Sequence, residues 1–287
     1  MVRYELKKVF GCVGGKLALI LYIAVLALSC WLSSTGALNV EVKWVNEQGE
    51  SEYGPSAVKK LREAQNEWEG WVDQNKLSRV IQENQRINAT PEAKSDIVQQ
   101  NEIAYSWKQG FAPIREILNE SYSNGFREYD YYTADRITAI DEDTFYANRE
   151  KLLKNWLYDE TDGAYSKYSE SEKQYIIEQY KEIEIPFYFT YHEGWHQLLE
   201  NAGYISSLGI LILCFLLAGI FSNEFKWKAD AVYFSTLCGR NKATSAKIKA
   251  GFLLVTVLYW GAMLVYSLFT LCYLGFEGAS CVIQWLL

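Results

Sequence analysis

Between residues 37 and 202 the chain has no cysteine; all six (Cys12, Cys30, Cys214, Cys238, Cys272 and Cys281) lie elsewhere. That long middle segment is therefore no disulfide scaffold, and its own core must hold it together. Histidine is nearly absent too, with only His192 and His196. A phosphate-binding loop is missing. Gly11–Lys16 places three residues between Gly11 and Gly15, and Leu17 follows Lys16, where the motif needs four and then Ser or Thr. Nucleotide binding by that route is excluded. No internal repeat and no low-complexity tract is visible. Three stretches lack charge altogether: Leu17–Leu38, Asn201–Asn223 and Ala250–Phe276. Each reaches the roughly 20 apolar residues that span a bilayer.

Charge is distributed unevenly around those stretches. The net charge is −7, yet Met1–Lys16 holds four basic residues against one acidic, and Phe221–Gly251 holds six against two. Residues 37–202 hold 18 basic and 31 acidic residues. Short Lys/Arg-rich segments stay cytoplasmic, which places both basic patches inside and the acidic middle outside. Leu17–Leu38 exceeds a signal-peptide core, and Trp31, Leu32 and Leu38 make a poor cleavage zone, so it reads as a retained first span.

The sequence thus predicts an all-α membrane protein with three transmembrane helices and a large, mostly helical extracellular domain between the first two. Its parts are a cytoplasmic basic segment (1–16), a span (17–38), the extracellular domain (39–202), a span (203–222), a cytoplasmic loop (223–249), a span (250–276) and an extracellular or re-entrant tail (277–287). Within the domain, Glu41–Trp44 reads as extended before a turn at Gln48-Gly49. Ser56–Val80 shows helical apolar spacing. Thr90-Pro91-Glu92 reads as the start of a helix running towards Trp107, and Ser169 with Glu172 has capping-box spacing. Phe187, Tyr188, Phe189, Tyr191 and Trp195 suit an aromatic belt at headgroup level.

His192-Glu193-Gly194-Trp195-His196 matches the zinc-peptidase pattern, in which two His one helical turn apart bind the metal and the Glu activates its water. Glu200 would continue that face as a third ligand. Gly194 weakens the helix the motif needs, and no other His or Cys lies nearby in the domain. These residues are read as membrane-edge residues, with no metal in the chain. A membrane-anchored zinc metallopeptidase using His192, Glu193 and His196 is the alternative. A surface peptide sensor or immunity protein is a second one.

The loop Phe221–Gly251 carries the sharper signal. Glu224 is a carboxylate at the inner end of a span, against the positive-inside pattern, and its cost calls for a specific partner such as Arg240 or a neighbouring helix end. Asp230–Leu237 is a short amphipathic segment with Ala231, Phe234 and Leu237 recurring every third residue. Gly239 is placed to cap it, beside Arg240. A short helix ringed by cations is shaped to dock on another protein; anionic-lipid binding is a weaker rival.

Several residues carry a resemblance: Gly194-Trp195, Phe221-Ser222-Asn223-Glu224, Ser235-Thr236-Leu237-Cys238-Gly239-Arg240, Ala246-Lys247-Ile248, and Gly275-Phe276-Glu277-Gly278 with Gln284. In that order, along most of the chain, they resemble the permease subunits of type-two ABC exporters of Gram-positive bacteria. The resemblance implies a multi-pass plasma-membrane subunit that is not itself an enzyme. Its loop, through Glu224, Asp230, Phe234, Leu237, Gly239 and Arg240, would couple to a separate ABC ATPase subunit. ATP and Mg would bind on that partner, leaving no cofactor in this chain. A second permease copy or a homologous permease would complete the pathway, with the lipid bilayer around it and no nucleic acid involved. The substrate would be hydrophobic, amphipathic or peptide-like. The family pattern has six spans and this chain three, which implies a further half after Leu287.

Overall fold

The computed structural model describes residues 1–35, 42–126, 130–161, 163–226 and 228–281. In chain order the elements are α1 (Val2–Gly11), α2 (Val13–Thr35), β1 (Trp44–Val45), β2 (Ser51–Glu52), α3 (Pro55–Asn66), β3 (Gly70–Trp71) and α4 (Gln74–Asn88). There follow α5 (Val98–Ser106), α6 (Ala112–Ser121), α7 (Thr133–Arg136), α8 (Glu142–Tyr158), α9 (Gly163–Lys167), α10 (Glu170–Lys181) and β4 (Tyr188–Phe189). The chain then runs through α11 (Glu193–Lys226), α12 (Asp230–Ser235), a π-helical turn (Cys238–Ala243) and α13 (Thr244–Leu274). Sheet among the described residues is confined to two antiparallel two-residue ladders, β1–β2 and β3–β4. This is an all-α membrane protein with three candidate spans, Val13–Leu32, Glu193–Ile220 and Cys238–Leu274.

Two compact units divide the chain: the described residues of Met1–Asn39 and His196–Gly275 form one, and those of Val40–Trp195 and Phe276–Leu287 the other.

The three-span unit is helical because an α-helix satisfies its backbone polar groups internally, which a lipid environment demands. Val9, Leu216, Ile220 and Leu254 make one small core cluster; Tyr22, Ile212 and Leu213 make another. Polar bonds cross between helices. The Tyr22 hydroxyl donates to the Leu258 carbonyl at 3.1 Å, and the Ser206 and Tyr259 hydroxyls lie 2.7 Å apart. Bonds of this kind hold membrane helices together where apolar packing alone gives little discrimination.

The helical domain is built round α4, α6 and α8. Asp73 caps α4 by accepting from the Lys76 N–H at 2.8 Å. Leu77, Val80, Ile81 and Ile87 form the buried stripe of α4 at helical spacing. They meet Phe111, Ile114, Ile117 and Leu118 from the α6 side, Phe145 and Tyr146 of α8, and Trp68 and Val72. The Tyr146 hydroxyl ties two loops together, donating to the Val72 carbonyl at 2.9 Å and accepting from the Phe187 N–H at 2.8 Å. Inside this apolar shell sits a polar centre. Asp135 accepts from Asn88 at 2.8 Å, Asn84 at 2.9 Å and Arg115 at 3.1 Å, with the Lys108 ammonium 3.7 Å away. Burial works against the Asp135 carboxylate, but those donors and the two cations outweigh it and hold its pKa below the usual range.

Several local expectations meet this fold directly. The capping box at Ser169 and Glu172 is present with both of its bonds. Thr90-Pro91 does not open a helix. The Thr90 hydroxyl donates to the Ile87 carbonyl at 2.7 Å and closes α4, residues 91–94 form turns, and α5 starts at Val98. The Ser56–Val80 run is two helices, because β3 interrupts it to pair with β4. That pairing also reassigns the aromatic segment: Phe187, Phe189 and Tyr191 are buried inside the domain and do not form a headgroup belt.

Residues after the third span belong to the same domain. Trp195 Nε1 donates to the Phe276 carbonyl at 2.9 Å, and Arg62 pairs with Glu277 at 3.1 Å. Gly278 has φ +80°, and a Cβ there would lie 2.5 Å from the His192 Cβ. Only glycine fits both demands. The rest of the tail, 282–287 with Gln284, lies outside the described residues.

Candidate functional site

The loop between α11 and α13 is short and mostly exposed, yet its roots are fixed by a buried charge cluster within the three-span unit. Lys247, in the first turn of α13, is 1% exposed. Its ammonium donates to the Ile220 carbonyl at 2.6 Å and to Glu224 at 2.8 Å, and sits 3.5 Å from Glu5. Glu224 also accepts from Lys8 at 3.0 Å, and Lys8 pairs with Glu5 at 3.3 Å. The Lys247 ammonium lies 5.3 Å from the centre of the Tyr233 ring, a cation–π contact that brings α12 into the cluster.

Two acids and two bases thus balance charge where α1, α11 and α13 converge. Burial works against the ionised forms of both Glu224 and Lys8. For Glu224 the bonds from Lys247 and Lys8 outweigh it, and the carboxyl is held below its usual range. For Lys8 the bonds and charges of Glu224 and Glu5 outweigh it, and the ammonium is held above the usual lysine value. Both shifts favour the charged forms of Glu224 and Lys8. Such a cluster is costly to desolvate and costly to break on one side, so it fixes register more than it adds stability.

Glu224 does have a specific partner, as its position demands, but that partner is Lys247 with Lys8 and not Arg240. Arg240 is exposed on the π-helical turn. The amphipathic segment is also shorter than its spacing suggests. α12 ends at Ser235, Thr236 is extended, and the π-helical turn leads straight into α13. Gly239 therefore does not cap α12. It is glycine because a Cβ would fall 1.8 Å from the Tyr233 carbonyl oxygen. The Thr236 hydroxyl accepts from the Gly239 N–H at 3.0 Å, and Thr244 lies 3.0 Å from the Tyr233 hydroxyl, folding the turn back on α12. What this hairpin-like loop presents outward is apolar and charged: Val232 and Leu237, the latter 71% exposed, beside Arg240 and Lys242. Asp230 opens α12, and Phe234 lies within it, its side chain outside the described residues.

Of this buried cluster, the sequence marks Glu224 as needing a partner but assigns no pairing to Glu5, Lys8 or Lys247. Glu5 carried a signal, as the lone acid in a basic segment. Lys247 stands in the Ala246-Lys247-Ile248 match, with no partner assigned to it.

The histidine pattern is placed differently from a peptidase helix. His192 precedes α11, is 4% exposed, and its Nδ1 lies 2.8 Å from the Thr190 carbonyl. Packing of Gly278 on its Cβ seats it as a structural residue. His196 Nε2 lies 4.0 Å from Glu200. Among the described residues no group of three His, Cys, Asp or Glu side chains is arranged to hold a metal ion.

No family model, curated protein or solved structure matches this chain.

Proposed function

We propose that this chain is the membrane-spanning subunit of an ATP-driven exporter, and that its α11–α13 loop docks on a separate ATPase subunit. The observation that carries the reading is the loop itself: exposed Val232, Leu237 and Arg240 on a short helix and turn, rooted through Glu224 and Lys247 in the two helices that carry the second and third candidate spans. An exposed surface rigidly connected to membrane helices is what force transfer requires, since motion at one end must reach the other without being lost in a flexible linker. The charge bias of the segments places the loop and the N-terminus in the cytoplasm and the acidic helical domain outside. The plasma membrane of a Gram-positive bacterium is the setting the family resemblance implies.

In this reading the chain catalyses nothing. ATP and Mg bind the partner, a second permease copy or homologue completes the pathway, and the helical domain receives or gates a hydrophobic, amphipathic or peptide-like substrate. The test is coupling. With the partner ATPase co-expressed and reconstituted, Arg240→Ala is expected to leave insertion and complex formation intact while substrate no longer stimulates ATP hydrolysis. Normal stimulation in that variant removes Arg240 from the coupling surface.

A further inference from the structure

α1 is attached to the three-span unit in an unusual way. Glu5 and Lys8 sit one helical turn apart on α1 and pair with each other at 3.3 Å. Glu224 and Lys247 pair at 2.8 Å without any contribution from α1. The two pairs then cross-bond, Lys8 to Glu224 at 3.0 Å and Lys247 to Glu5 at 3.5 Å. An ordinary interface salt bridge places the acid on one side and the base on the other, so separation strands a charge. Here each side keeps its own neutral pair when the two part, and the large penalty of an unpaired buried charge does not arise.

The joint and the apolar seat agree with this. α1 stops at Gly11, and Cys12 is extended (φ −81°, ψ 150°), breaking the helix before α2. A side chain at Gly11 or Gly14 would meet nothing within 4 Å, which leaves that side of the joint open, while Gly15 packs on the Val9 carbonyl when α1 is seated. The seat is small: Val9 fits among Leu216, Ile220 and Leu254, with Leu6 partly buried beside it. At a membrane, lipid chains can replace Val9 there at little cost, because hydrocarbon is as apolar as the side chain it displaces.

We propose that α1 is a releasable latch across the base of the three-span unit, closed by the crossed pairs and opened by their return to the uncrossed ones. The inference stands on this unit alone and is independent of the ATPase reading. Opening would expose the roots of the α11–α13 loop, so the latch is placed to control how firmly that loop is held.

The test is amide hydrogen exchange on the full chain in lipid nanodiscs. In the native chain, the amides of 2–11 are expected to exchange at least tenfold faster than those of 244–258. The double variant Glu5→Lys/Lys8→Glu keeps α1's own pair but turns both crossed pairs into like charges. It should raise exchange in 2–11 by a further tenfold or more while 244–258 stays within twofold. Adding Glu224→Lys and Lys247→Glu restores the crossed pairs and should restore protection in 2–11. Equal exchange of the two segments in the native chain overturns the latch. So does a double variant that leaves 2–11 unchanged or loosens 244–258 equally. The native measurement decides the matter even if a variant fails to insert.

Discussion

Replacing Glu224 by Gln removes the carboxylate that Lys247 contacts at 2.8 Å and leaves that ammonium, 1% exposed, with Glu5 at 3.5 Å and the Ile220 carbonyl at 2.6 Å. Breaking a buried pair by removing one partner costs about 3–5 kcal/mol. Glu5 remains as a partial partner, which puts the expected loss at the lower end, about 3 kcal/mol. At about 2–4 °C per kcal/mol for a chain of this size, the midpoint of thermal unfolding should fall by about 6–12 °C. Glu224→Gln with Lys247→Met removes both charges together and should lie within about 3 °C of the native protein, since replacing a buried pair by neutral residues is often close to neutral. Helix-detected melting in detergent, with size-exclusion retention as a second readout, measures both variants. A single variant that melts like the native protein refutes the reasoning, as does a double variant that falls as far as the single.

Two further predictions concern the helical domain. Asp135→Asn leaves Lys108 and Arg115 buried without their counter-charge and should destabilise the domain by about 3–5 kcal/mol, read from denaturant unfolding by tryptophan fluorescence. Because the Asp135 pKa is lowered on folding, its stabilisation is complete above the ordinary carboxylate range and lost as pH falls through the lowered value. Acid unfolding of Asp135→Asn should accordingly lose part of that pH dependence, and an unchanged acid limb would count against the assignment. Gly278→Ala forces a side chain into φ +80° and within 2.5 Å of His192, at a cost of about 1–3 kcal/mol for the backbone alone. Faster hydrogen exchange confined to 188–192 and 276–281 is the expected signature, and native exchange there would mean the tail does not pack on that segment.

Much of the architecture was legible because it is written locally. Three uncharged runs became three long helices, since charge cannot be hidden in a single span. The Ser169–Glu172 box was readable because both partners lie within one turn. What local pattern misses is pairing across the chain. The aromatic segment 187–195 resembles a membrane belt until β4 is seen to pair with β3, which draws Phe187 and Phe189 into the core. Thr90-Pro91 has the composition of a helix start, and the hydroxyl's bond back to Ile87 decides that it is a helix end. Glu224 shows the same limit at the site. Its need for a partner follows from position alone, but Lys8 lies on the far side of the helical domain in sequence and nothing local marks Lys247 as the partner.

The central claim is that the α11–α13 loop docks on an ATPase. A photo-crosslinking residue at Leu237, 71% exposed on that loop, tests it most directly in intact cells. The account predicts one dominant adduct, to a polypeptide bearing a GxxxxGK[ST] loop, with Tyr53 on the helical domain giving no such adduct. Equal capture of the same polypeptide at both positions, or capture at Leu237 of lipid alone, would contradict it.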